Sequence, residues 1–171
     1  MSSTAASAYG RSSPFRDDRH SRSFRKGLWG LRRDLGDGYE LDDDPGRIDR
    51  EAVHLYLSED SYWAKGRSRD VQDALIDTAA RVVGLYHEGS QVGFTRTLSD
   101  GHTQSYLADV YLLEEHRGRG LGVELVRFSV EEGPFTSTKW FLHTADAHDL
   151  YRKFGFTEPG PKALERWSRE G

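Results

Sequence analysis

Arg117-Gly118-Arg119-Gly120-Leu121-Gly122 separates two apolar segments of this 171-residue chain. Before it runs Tyr106-Leu107-Ala108-Asp109-Val110-Tyr111-Leu112-Leu113, nearly continuous in apolar residues and suited to a central strand covered on both faces. After it, Leu121 to about Glu132 follows a helical period. At about 100° per residue, Glu124, Arg127 and Glu131 share one thin arc, with Leu121, Leu125 and Phe128 on one flank and Val123, Val126 and Val130 on the other. Such a helix is largely buried against a sheet. Glycines at a strand-to-helix turn let the backbone approach a ligand without a Cβ in the way. The first N–H groups of a helix have no internal acceptor, and its dipole favours an anion there. The segment therefore predicts a cradle for a diphosphate.

Outward from the loop, the elements set its context. Arg81–His87 and Gln91–Leu98 read as strands joined by the turn Glu88-Gly89-Ser90. With Gln104–Leu113 they predict an antiparallel meander. Upstream, Asp49 and Ser68 are placed to cap two short helices. Tyr39–Leu41 is a short strand candidate. Downstream, Trp140–His143 is a strand that can run parallel to Gln104–Leu113, because a helix intervenes. Asp146 is placed to cap a helix with Ala147, Leu150, Tyr151 and Phe154 at helical spacing, and Gly155 stops it. Phe156 and Ala163–Trp167 are further strand candidates.

Three phosphate-binding readings compete for the loop. A P-loop needs Gly-Lys-Ser/Thr, but Val123 follows Gly122. A dinucleotide fingerprint needs G-x-G-x-x-G and an acid about 20 residues on. Here the spacing is G-x-G-x-G, and Thr138-Lys139-Trp140 holds no acid. The third reading is a coenzyme A pyrophosphate site.

The sequence resembles the GNAT superfamily of acyl-CoA N-acetyltransferases on two motifs in the right order. Arg117-x-x-Gly120-x-Gly122 is similar to that family's R/Q-x-x-G-x-G/A motif, and Leu150-Tyr151-Arg152-Lys153-Phe154-Gly155-Phe156 to its L-Y-x-K-x-G-F segment. The resemblance covers residues 38–167. It implies an α/β fold of the α+β type: a mixed, mostly antiparallel sheet of six to seven strands flanked by four helices. It also implies acetyl-CoA as co-substrate, held where the family's fourth and fifth strands (here 104–113 and 138–143) splay apart. Val110, Tyr111 and Leu112 would pair with the pantetheine. Arg117, Gly118, Arg119, Gly120, Leu121, Gly122 and Val123 would take the pyrophosphate. Thr144 stands where many relatives carry a cofactor-contacting asparagine, and Glu114 where they often place proline.

The implied reaction is direct acetyl transfer to a primary amine in a ternary complex. The resemblance sets Tyr151 as general acid for the departing thiolate and a backbone N–H near Leu112 as oxyanion donor. Asp109, a lone carboxylate in an apolar strand, is the candidate base, and alternation puts it on one face with Leu107 and Tyr111. Tyr106 and His143 are further base candidates. The loop Ser61-Tyr62-Trp63 with Lys65 is a candidate acceptor wall.

Composition bounds the rest. The chain is 36% hydrophobic, 12% aromatic and 30% charged, and it has no cysteine. That excludes a disulfide framework and a thiolate nucleophile, and it fits a reducing cytoplasm. No run approaches the roughly 18 apolar residues of a membrane span, and the seven histidines show no metal-binding spacing. Residues 1–37, rich in Ser, Arg and Gly, carry eight bases and four acids and read as a disordered tail. Residues 38–171 form the expected domain; with 16 bases and 24 acids they carry −8, which disfavours nucleic acid and suits a cationic acceptor better than an anionic one. The acceptor amine is unknown. The resemblance leaves room for a homodimer. The rival functions are a GNAT-like module that senses coenzyme A without efficient catalysis, and a protein acting through its Arg/Ser tail.

Overall fold

The period-two stretch from residue 81 to 112 forms three antiparallel strands, as its alternation requires. The computed structural model describes residues 30–161 and 163–166. Its sheet runs β1 (Arg32–Gly36), β2 (Tyr39–Asp42), β3 (Arg81–His87), β4 (Ser90–Ser99), β5 (Gln104–Leu112) and β6 (Lys139–Phe141), each beside its neighbour in sequence. Every pairing is antiparallel except β5 with β6, which is parallel because helix α3 (Leu121–Val130) crosses between them. Four α-helices accompany these six strands among the described residues: α1 (Arg50–Leu55, continued by one wider turn, Tyr56–Asp60), α2 (Arg69–Thr78), α3 and α4 (His148–Arg152). The expected α+β class is found.

Two layers of helix cover the sheet. α1 and α2 bury Val53, Leu57 and Ile76 against Val82, Phe94 and Tyr111. On the other face α3 buries Leu125 and Phe128 against Val83, Leu85 and Val92, and Val126 and Val130 pack with Leu107 and Tyr151 of α4. Val82 and Val83 facing opposite layers is the strand alternation in its plainest form. Asp49 and Ser68 cap α1 and α2 as expected, accepting from Ala52 N–H at 3.0 Å and Val71 N–H at 3.4 Å.

Several expectations change. The assignment of residues 1–37 to a tail lies outside the described residues up to position 29. Arg32–Gly36, however, pair with β2, so the sheet takes in residues whose composition reads as tail. Asp43 holds this edge in place: its buried carboxylate accepts from Gly30 N–H (2.7 Å), Leu31 N–H (2.9 Å) and the fully buried Arg81 Nε (3.0 Å). Arg81 in turn donates to the Phe128 and Ser129 carbonyls at the end of α3. Asp43→Ala strands a buried guanidinium and is expected to cost about 3–5 kcal/mol, read by urea unfolding; a loss below 1 kcal/mol would remove the pair from the fold's framework. Phe156 and residues 163–166 form no strand, and Trp167 lies outside the described residues.

Candidate active site

β6 pairs with β5 only from Gln104 to Tyr106, opposite Lys139 to Phe141. From Leu107 to Leu112 the outer edge of β5 therefore has no strand beside it among the described residues. That opening is the splay expected between residues 104–113 and 138–143. Val110, Tyr111 and Leu112 lie along it.

At its carboxyl end β5 leads through Glu114–His116 into the glycine loop. Gly118 and Gly120 both take φ of +78°, a left-handed conformation that favours glycine, and Gly120 caps α3. A Cβ built on Gly118, Gly120 or Gly122 meets nothing within 4 Å, so open space lies where a ligand would approach. Among the described residues, the N–H groups of Gly118, Arg119, Gly120, Leu121 and Gly122 have no hydrogen-bond acceptor. Val123 differs: its N–H is already given to the Gly120 carbonyl at 2.9 Å. Arg117 differs too. It folds back to donate from Nε to the Leu112 carbonyl (3.0 Å) and from a terminal nitrogen to the Tyr56 hydroxyl (3.2 Å). It ties the loop to the end of β5. Arg119 is exposed beside the loop.

Tyr151 comes to the same gap from α4. Gly155, at φ +78°, ends that helix by a Schellman closure, with Phe156 N–H to the Tyr151 carbonyl and Gly155 N–H to the Arg152 carbonyl. The closure folds the Phe156 ring edge-on to Tyr151 at 5.9 Å. The glycine and phenylalanine of the motif thus fix the tyrosine. Its side chain packs with Leu107, Val126 and Val130, and its hydroxyl has no partner among the described residues. Burial pushes the phenol up to about 12, reinforced by Tyr62, Asp146 and Tyr106. Asp146 does not cap α4. No side chain caps it; Thr144 Oγ1 accepts from Ala147 N–H at 3.2 Å in the turn that leads into the helix. Tyr62, from the loop after α1, accepts from Ala145 N–H at 2.9 Å and so bridges to the start of α4.

Asp109 is where alternation fails. It has φ of +52°, and the β4–β5 register shifts by one between Phe94 and Arg96. This β-bulge re-aims the side chain. Leu107 faces α3 and α4, whereas Tyr111 packs with the α1 layer, so the two are on opposite faces. Asp109 Oδ2 accepts from Arg96 Nε at 2.7 Å and Oδ1 from Arg67 at 3.1 Å. Both oxygens of the candidate base are committed to guanidinium groups. Neither arginine was singled out from the sequence. The available signal was a lone cation, Arg96, inside an otherwise uncharged strand next to one holding a lone acid.

Tyr106 and His143 meet at the closed end of the gap, where β6 parts from β5, hydroxyl to Nδ1 at 2.7 Å, and His143 Nε2 lies 3.4 Å from Glu165. Burial pushes the Tyr106 phenol up, opposed by the His143 contact. Among the described residues no group of three or more His, Asp or Glu is placed to hold a metal ion, and no helix is long and apolar enough to cross a membrane.

A family model described as an acetyltransferase (GNAT) domain matches residues 78–158. A protein of Gibberella zeae named "Putative acetyltransferase" is 28% identical over 144 residues, covering 70% of this chain and 80% of its own. The solved structure of an acetyltransferase of Streptococcus pneumoniae TIGR4, named as a GNAT family protein, shares the fold at 17% identity and a TM-score of 0.60, covering 77% of this chain and 99% of its own. A crystal structure from Xanthomonas campestris pv. campestris, whose protein is assigned to the GNAT family, is 34% identical with a TM-score of 0.72, covering 76% of this chain and 93% of that one. The splayed strands and the open glycine loop agree with that likeness in sequence and shape, and the chain belongs to the GNAT superfamily of acetyltransferases.

Proposed function

We propose that this protein transfers the acetyl group of acetyl-CoA to a primary amine by direct attack in a ternary complex, in the cytoplasm. The observation that carries the reading is the row of five unengaged N–H groups, Gly118 to Gly122, at the mouth of the gap beside β5. A pyrophosphate there meets backbone donors and the positive end of α3, with Arg119 adding charge. The pantetheine lies along Val110, Tyr111 and Leu112 as a partial extra strand. Thr144 supports α4 and through it Tyr151.

The amine nitrogen attacks the thioester carbonyl carbon. The oxyanion is met by a backbone N–H near Leu112. The carbon–sulfur bond breaks, and the sulfur leaves toward the Tyr151 hydroxyl. The amine's surplus proton passes to the Tyr106–His143 pair and on to solvent. We assign the base role there, since both Asp109 oxygens are held by Arg67 and Arg96. Asp109 instead fixes the bulge. The intact Tyr151 position favours catalysis over a sensor of coenzyme A.

Saturating acetyl-CoA is expected to raise the melting temperature. At 100 times Kd the stabilisation is about 2.7 kcal/mol, which for a chain of this size corresponds to about 5–10 °C. No shift at millimolar ligand would overturn the assignment. Release of coenzyme A over a panel of amines separates the enzyme from the sensor, because a sensor binds without turnover.

A further inference from the structure

We propose that the acceptor carries a carboxylate close to its amine, and that Arg96 and Arg67 receive it. This rests on the transfer reading above and deepens it.

Among the described residues, Asp109 is the one carboxylate that meets both guanidiniums, with side-chain exposures of 3% for Asp109, 8% for Arg96 and 19% for Arg67. One negative charge against two positive ones leaves a surplus of +1 in a place largely cut off from water. Gln72, fully buried, gives Arg67 a neutral oxygen at 2.8 Å and no charge. Glu165, which also acts on Tyr106, is engaged with His143 and half exposed. A buried charge without a counter-charge is costly. Arg96 shows where the compensation is missing. Its Nε is bonded to Asp109, but its two terminal nitrogens bond to no described residue although the side chain is more than nine-tenths buried. A guanidinium edge in that state is a planar double donor, the complement of a carboxylate.

Placement supports the same occupant. Arg96 on β4 pairs with Ala108 of β5, one strand spacing (about 4.8 Å) from the strand whose outer edge is open. Phe94 packs in the α1 layer, so Arg96, two residues on, faces that layer too, away from α3 and its glycine loop. The bulge turns Asp109 to this face as well. A cofactor entering along β5 from the α3 end and an acceptor entering from the α1–α2 side would meet at the gap from opposite faces. Tyr106 feels the charges of both Asp109 and Arg96, and Tyr151 in turn feels Tyr106.

The size of the surplus selects the anion. A carboxylate neutralises +1. A phosphate monoester, near −2 at neutral pH, would leave the pocket negative. The overall charge of −8 on residues 38–171 points the other way, toward a cationic acceptor. Surface acids are screened beyond about 10 Å, however, whereas a half-dry guanidinium at contact is not. The local pair decides.

The test is coenzyme A release from matched amines that differ only by the carboxylate: phenylalanine against phenethylamine, and lysine against cadaverine. The expected kcat/KM ratio is about 10- to 100-fold in favour of the amino acid of at least one pair, the worth of a charged hydrogen bond. Arg96→Gln and Arg67→Gln should each pull that ratio toward one while the acetyl-CoA melting shift persists. An arginine that only braces the bulge would lower both rates together and leave the ratio standing. If Arg96→Gln does not fold, Arg67→Gln alone carries the comparison. The products give a readout independent of turnover: with coenzyme A present, N-acetylphenylalanine should raise the melting temperature more than N-acetylphenethylamine. Equal kcat/KM within both pairs, a ratio unmoved by the substitutions, or equal product shifts where no amine is turned over would each overturn the proposal. A wild-type protein that acetyl-CoA does not stabilise at all would overturn the transfer reading instead.

Discussion

Gly120→Glu is expected to abolish the rise in melting temperature that acetyl-CoA produces. Three effects act in one direction. Gly120 sits at φ +78°, where an L side chain costs about 1–2 kcal/mol. Its Cβ would enter the empty space in front of the loop rather than the protein. The added carboxylate would stand among the N–H groups of residues 118–122, at the end of α3 where the dipole already favours negative charge, so it would occupy the pyrophosphate's own place. Gly120→Ala separates these effects, since it imposes the strain and a methyl group without the charge; it should weaken the shift by a few degrees and not remove it. Differential scanning fluorimetry with and without ligand measures both. A full shift in Gly120→Glu would mean that the diphosphate lies elsewhere.

Tyr151→Phe is expected to slow turnover about 10²-fold with the acetyl-CoA melting shift intact. The ring is what packs against Leu107, Val126 and Val130, and phenylalanine keeps it. Only the hydroxyl is lost, and among the described residues it has no partner to strand. The pKa of about 12 refines its role. Against a thiol of ordinary pKa about 8.5, complete proton transfer is uphill, so we propose that Tyr151 works chiefly by holding a hydrogen bond on the departing sulfur. The raised pKa also keeps the phenol protonated throughout the working range. The rate should show no alkaline loss from Tyr151 below about pH 11, and any limb at lower pH belongs to another group. Full activity in the variant would remove the tyrosine from the reaction.

The glycine loop and the tyrosine segment were legible because each is local. The positive φ of Gly118 and Gly120, the helix start and the closure at Gly155 all depend on residues within a few positions of one another. The meander was legible for the same reason, with short turns between its strands. What failed was long-range. The bulge at Asp109 leaves no mark in Tyr106–Leu113, because the positive φ sits on an aspartate and its stabilising partners come from β4 and from the loop before α2. The strand at Arg32–Gly36 has a single apolar side chain, Leu35; it is held by main-chain pairing, by Asp43, and by Arg33 reaching Glu124 and Glu132 on and just beyond α3. Arg117 was read as a phosphate ligand from its place in a motif, yet its nearest acceptor is the strand it has just left.

The short pairing of β6 has a further side. Among the described residues, β5 from Leu107 to Leu112 has no strand on its outer edge, and such an edge is a template for any extended chain, including that of a neighbouring copy. On the reading proposed above, the same open edge would admit a pantetheine arm. A ligand lying there would satisfy the edge, so on that reading substrate loading would also protect against self-association.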